Sequence, residues 1–229
     1  MSSTHSLILE RADAVNAAQA QIKATAAVRE KSPRAWQAWE QAAQAGHRAR
    51  DSFYDEELLK AVRQLQYGDP EAVEHGLVFL EADPWCFRSG YLKERLLRAL
   101  ARHVLTSEQI LRVERILLRN IDVGERRELR LACRLARAHA TPGLREELGR
   151  RLLTGEDAVA RRALVMMISL VEPDLSGKES RRADAVILQA CAEINRNLEA
   201  IEASDDPWSF PSYVPASSEL LARMVRAAG

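Results

Sequence analysis

The sequence predicts an all-α protein built of stacked antiparallel helix pairs, and three observations point there. Every long apolar pattern in the 229 residues has the helical period, and no stretch alternates apolar and polar residues over strand length. Alanine, leucine, arginine and glutamate are abundant while glycine (10) and proline (8) are sparse, a composition of strong helix formers. From residue 55 to 170 the periodic segments run about 12–16 residues with short connections, which makes successive helices antiparallel neighbours.

Taken in order, the first helix is read at 4–30 and the second at 33–50. Both are rich in alanine, and Trp36 and Trp39 sit at i,i+3 on the second. Ser32 before Pro33 opens that helix with a capping hydroxyl and a proline suited to the first turn. A third helix, 55–66, starts on Asp55, Glu56 and Glu57, whose charge complements the helix dipole. Tyr67 and Gly68 break it, and Asp69 before Pro70 opens 70–82, which Asp83 and Pro84 end. Helices at 90–103 and 107–121 follow, the second announced by a capping box from Thr106 to Gln109. Val123 and Gly124 separate it from 125–139, and Thr141 before Pro142 opens 142–153. After Thr154 and Gly155 come 157–170, then 179–203 behind a capping box from Ser176 to Glu179, and a last helix at 217–227.

The apolar stripes define the expected core. Leu92, Leu96, Ala99, Leu100 and His103 line one helix, and Ile110, Val113, Leu117 and Ile121 the next. Leu129, Ala132, Cys133 and Ala136 line a third. Asp157, Val159, Arg161, Arg162, Ala163 and Leu164 form an acidic cap, a buried valine, exposed arginine, then inward alanine and leucine. With a weaker echo at Gly68–Val73, this pattern resembles the second helix of HEAT-like repeats, over about half the chain. The resemblance implies a HEAT-like α-solenoid; an orthogonal helical bundle is the alternative architecture. The expected organisation is an N-terminal Ala/Gln-rich hairpin at 1–54, a helical array at 55–203, and a terminal element at 204–229. There Pro207, Pro211 and Pro215 enforce a loop carrying Trp208, Phe210 and Tyr213, expected to fold back and cap the array.

Composition excludes several classes. Hydrophobic content of 47% with 29% charged residues argues against wholesale disorder. Cys86, Cys133 and Cys191 are odd in number and far apart, so neither a disulfide framework nor a zinc site is expected, and a cytoplasmic setting is. The N-terminus lacks a signal peptide's basic start and long apolar run. The most apolar stretch, 163–171, is about half of the ~20 residues a membrane span needs. No phosphate-binding glycine loop, HExxH or GxSxG motif is present, and the five histidines are isolated in sequence. No catalytic residue, metal or cofactor is therefore assigned.

Charge segregation is the functional clue. The chain is neutral overall, yet Arg88 to Arg162 holds 18 Lys+Arg against 10 Asp+Glu, a net of +8 between two ends of −4 each. Three consecutive helices carry arginine triads at helical spacing: Arg95, Arg98 and Arg102; Arg112, Arg115 and Arg119; Arg130, Arg134 and Arg137. Salt bridges to Glu94, Glu108, Glu114, Glu125 and Glu128 are the competing, purely structural reading. Arginine rather than lysine suits planar, bidentate contacts to carboxylate or phosphate. In a solenoid alternate helices share a layer, so the first and third triads adjoin and the second faces elsewhere. Trp85 and Phe87 add aromatic groups beside the block, the composition of binding hot spots. The expected activity is non-enzymatic binding of an acidic protein partner by Arg95, Arg98, Arg102, Arg130, Arg134, Arg137, Trp85 and Phe87, in an adaptor or an inhibitor of immunity type. The alternative is nucleic-acid binding, as in the HEAT-like DNA glycosylases. Those enzymes use a Trp–Trp–Asp grouping, whereas here Trp85 is followed by Cys86 and Phe87.

Overall fold

A computed structural model describes residues 3–123, 128–154 and 156–170 of the chain. The helices expected at 179–203 and 217–227, the capping box at Ser176, Cys191 and the segment around Trp208 lie outside these residues. Among them the protein is all-helical, without a strand. The elements are α1 (Ser3–Ala26), α2 (Pro33–Phe53), α3 (Glu56–Gln66), α4 (Val73–Ala82) and α5 (Ser89–Leu100). They continue with α6 (Ser107–Val123), α7 (Leu129–Ala138), α8 (Pro142–Thr154) and α9 (Asp157–Leu170). The chain forms two compact units, Met1–Leu117 with Arg126–His139, and Leu118–Glu125 with Ala140–Gly229.

The expected caps are formed. Ser32 Oγ accepts from Ala35 N at 3.1 Å, and Asp55, expected as first-turn charge, is instead the cap itself, its Oδ1 accepting from Leu58 N at 2.8 Å. Thr106 and Gln109 bond each other reciprocally, at 3.0 and 3.3 Å. Thr141 Oγ1 accepts from Leu144 N at 3.1 Å. Each satisfies an orphan N–H of a first helical turn.

In the first unit, α1 lies closely on α2: a Cβ placed on Gly46 would meet Ile22 Cδ1 at 2.6 Å, so a side chain there would require Ile22 to shift. Beyond the hairpin each odd helix packs on the one two before it, α5 on α3 and α7 on α5, with α4 against α1, α3 and α5. Burial recurs every 35 residues along that series. Ala61, Val62 and Leu65 are buried on α3, Leu96, Leu97 and Leu100 on α5, and Leu131, Ala132 and Leu135 on α7. The helix ends are tied in the same way. His103 Nε2 bonds the Leu65 carbonyl at 2.8 Å and His139 Nε2 bonds the Leu100 carbonyl at 3.1 Å. Because a carbonyl only accepts, each ring nitrogen is the donor.

The second unit packs α8 on α9, with Leu144, Leu148, Ala163, Leu164 and Met166 buried. Arg162, expected outside, is 7% exposed and donates Nε to the Ile121 carbonyl at 2.7 Å, while Val159, expected inside, is only half-buried. Ile121 lies in the last turn of α6, where carbonyls lack an amide within the helix, and the guanidinium supplies a donor.

Candidate functional site

The exposed face of α7 is an arginine stripe. Leu129, Leu131, Ala132, Cys133, Leu135 and Ala136 are buried, which leaves Arg130, Arg134 and Arg137 with Ala138 as the exposed positions. On α5, against which α7 packs, Tyr91 and Arg98 are exposed and Arg95 is half-buried; Arg102 is exposed just past the helix end. Arg95 Nη2 donates to Gln66 Oε1 at 2.9 Å, joining the outer side of α5 to that of α3. The structure thus brings the expected first and third triads onto two adjoining helices.

Sequence reading missed the third member of this face. Lys60, Arg63 and Tyr67 on and after α3 stand 35 residues before Arg95, Arg98 and Arg102, and all three are exposed. Arg130 and Arg137 continue the series at the same interval, and Arg134 falls one residue beyond it. Neighbouring helices lie about 8–10 Å apart and residues three or four apart on a helix about 5–6 Å, so these side chains form a two-dimensional array of cations with Tyr67 at one corner. The signal that could have found it was the 35-residue offset, hidden because α3 carries one lysine, one arginine and a tyrosine.

Arg112, the first member of the middle triad, behaves differently. Arg112 donates Nε and Nη2 to the two carboxylate oxygens of Glu81, both at 2.7 Å, and Nη1 to Glu74 Oε1 at 2.6 Å. Both acids are on α4, not among the sequence-local glutamates expected to pair. The Arg112 hydrogen bonds hold the Glu81 carboxyl below its ordinary range, against the opposing effect of burial. Glu128, one of the expected partners, is 2% exposed with no hydrogen-bond partner for either carboxylate oxygen among the described residues. Arg151 on α8 repeats the Arg112 arrangement, with Nε and Nη2 on Asp122 at 2.8 Å each.

Trp85 and Phe87 are 65% and 44% exposed. The loop that carries them is nonetheless well braced. Asn16 Nδ2 donates to the Trp85 carbonyl at 2.7 Å, and Tyr54 Oη donates to the Phe87 carbonyl. Ser89 Oγ donates to the Cys86 carbonyl at 2.9 Å, and Lys93, 3% exposed, pairs with Asp83 at 2.6 Å. Asp83 and Arg88 both take the left-handed backbone region, at φ 50° and 65°. Arg50 and Arg88 lie over the Phe87 ring at 5.7 and 5.1 Å, and Lys93 lies over Trp85 at 5.8 Å. A fixed backbone thereby presents exposed rings next to cations.

Burial pushes the Cys86 thiol up to about 11, with hydrogen bonds from Ser89 and Tyr54 opposing, so the thiolate is scarce at neutral pH. Among the described residues no group of three His, Cys, Asp or Glu is placed to hold a metal, and no helix is long and apolar enough to cross a membrane. Comparison with protein-family models, curated proteins and solved structures gives no match.

Proposed function

We propose that the chain is a non-enzymatic, HEAT-like helical-repeat module that binds an acidic protein partner on the basic face of α3, α5 and α7. Support for the repeat comes from the 35-residue recurrence of buried triplets and the matching histidine ties at Leu65 and Leu100. The observation that carries the binding function is the exposure of Arg98, Arg102, Arg134 and Arg137 on adjoining helices, while Arg112 of the middle triad is taken up by α4 carboxylates. Arginines held outward with little desolvation favour long-range steering and bidentate capture of carboxylates. The braced aromatic loop supplies the rigid rings that interfaces use as anchors. Among the described residues Cys86 and Cys133 are not in a disulfide, which suits the reducing, cytoplasmic setting we infer.

Exposed aromatics beside arginines also suit stacking on nucleic-acid bases. Overall neutrality weighs against that reading, because the electrostatic term that dominates such binding needs an excess of positive charge. The test is affinity capture from a nuclease-treated extract at two ionic strengths. A stoichiometric acidic protein, released by salt and absent with the Arg98→Glu/Arg134→Glu variant, is the expected result. Recovery that depends on intact nucleic acid would overturn the reading.

A further inference from the structure

At the C-terminal ends of α3 and α5 a cleft of about 400 Å³ opens beside Arg102, lined by Leu65, Tyr67, Pro70, Ala99, His103 and Val104 among others. Its size is ordinary for a ligand cleft. Two of its walls are large apolar side chains left in solvent: Tyr67 is 90% exposed and Val104 98%. The Leu65 carbonyl accepts from both His103 Nε2 at 2.8 Å and Gly68 N at 3.2 Å, so its two lone pairs are engaged. An apolar side chain seated there would cover Tyr67 and Val104. Charge at the cleft is divided: Asp69 and Glu71 flank Pro70 on the α3 side, and Arg102 lines it on the α5 side. Tyr67, Arg102 and Arg137 stand 35 residues apart at the ends of the adjoining helices α3, α5 and α7, so a segment leaving the cleft toward α7 passes Arg102 and then Arg137.

We propose that this cleft anchors one large apolar side chain of the acidic partner, whose following carboxylates pair with Arg102 and Arg137. Helices spaced about 8–10 Å apart and an extended chain rising about 3.3 Å per residue set the register at about three residues between anchor, first acid and second acid. The inference rests on the reading that this face takes an acidic protein. It adds the apolar residue, the order of the elements and their spacing.

The experiment measures fluorescence anisotropy of the full chain with labelled Gly/Ser-rich peptides. One carries a leucine followed by glutamates three and six positions later. A second replaces the leucine by serine, and a third replaces both glutamates by glutamine. An oligothymidylate is the fourth probe. The leucine–glutamate peptide is expected to bind about tenfold tighter than its serine counterpart, a gap that Tyr67→Ser with Val104→Ser abolishes. Both substitutions are at exposed positions, and a melting curve of each variant checks the fold. Equal affinity for the leucine and serine peptides overturns the anchor and leaves the acidic-partner reading standing. A glutamine peptide that binds as well as the glutamate one, binding of the oligothymidylate alone, or binding of no peptide overturns both.

Discussion

Arg112 shows how one side chain separates structure from function among arginines that look alike. Its bidentate pairing with Glu81 and its third bond to Glu74 tie α6 to α4. Arg112→Ala is expected to lower unfolding stability by about 1–3 kcal/mol, the range for hydrogen bonds to charged groups, read by urea denaturation. The pH dependence follows from Glu81. Its carboxyl is depressed in the folded protein, so the contribution is fully present above the ordinary carboxyl pKa of about 4.3 and is lost as pH falls through the folded value. The stability gap between wild type and Arg112→Ala should therefore be wide at neutral pH and close in acid; a gap that persisted in acid would contradict the pairing. The three triads were legible in sequence, but their different fates were not. The carboxylates that take Arg112 lie 31 and 38 residues away, beyond any count of local charge. Lys93 was similarly misleading: counted with the basic block, it is 3% exposed and spent on Asp83.

The elements themselves were largely readable, because capping and periodicity are local properties. Departures occur where tertiary packing decides. The helix expected from residue 70 is divided into a 3₁₀ turn at Pro70–Ala72 and α4, and α1 stops at Ala26 before a second 3₁₀ turn at Arg29–Lys31. The apolar stripes are wider than periodicity implied: Leu97, Ile116, Leu131 and Leu135 are buried too. A helix packed on both flanks hides positions that a one-faced helix would expose. Leu96 and Leu117, 2% and 0% exposed, should each cost about 2–5 kcal/mol when cut to alanine. The closeness of α4 to its neighbours gives a sharper test. A Cβ on Gly76 would stand 2.9 Å from Leu65 Cδ2, so Gly76→Ala is expected to destabilise by about 1–3 kcal/mol despite alanine's better helix propensity. A stabilised Gly76→Ala protein would show that α3 and α4 are farther apart than described.

Across the whole chain, neutrality conceals a basic middle between acidic ends. That segregation was visible from charge counting, and so were six of the cations on the proposed binding face. Lys60, Arg63 and Tyr67 were not, since their membership depends on α3 standing beside α5 at a 35-residue offset that no local pattern reveals. Trp85 and Phe87 were singled out by composition, but only the bracing by Asn16 and Tyr54, dozens of residues away, explains why exposed rings are held in place. The account stands or falls on whether the exposed arginines serve binding or stability. The direct measurement pairs thermal melting with the affinity of Arg98→Glu/Arg134→Glu for the captured acidic partner. We predict an unchanged melting temperature, with affinity reduced about a hundredfold or more, as expected when two interfacial charge pairs of about 1.5 kcal/mol or more each become repulsive. A variant that unfolds, or one that keeps both its stability and its partner, would contradict the account.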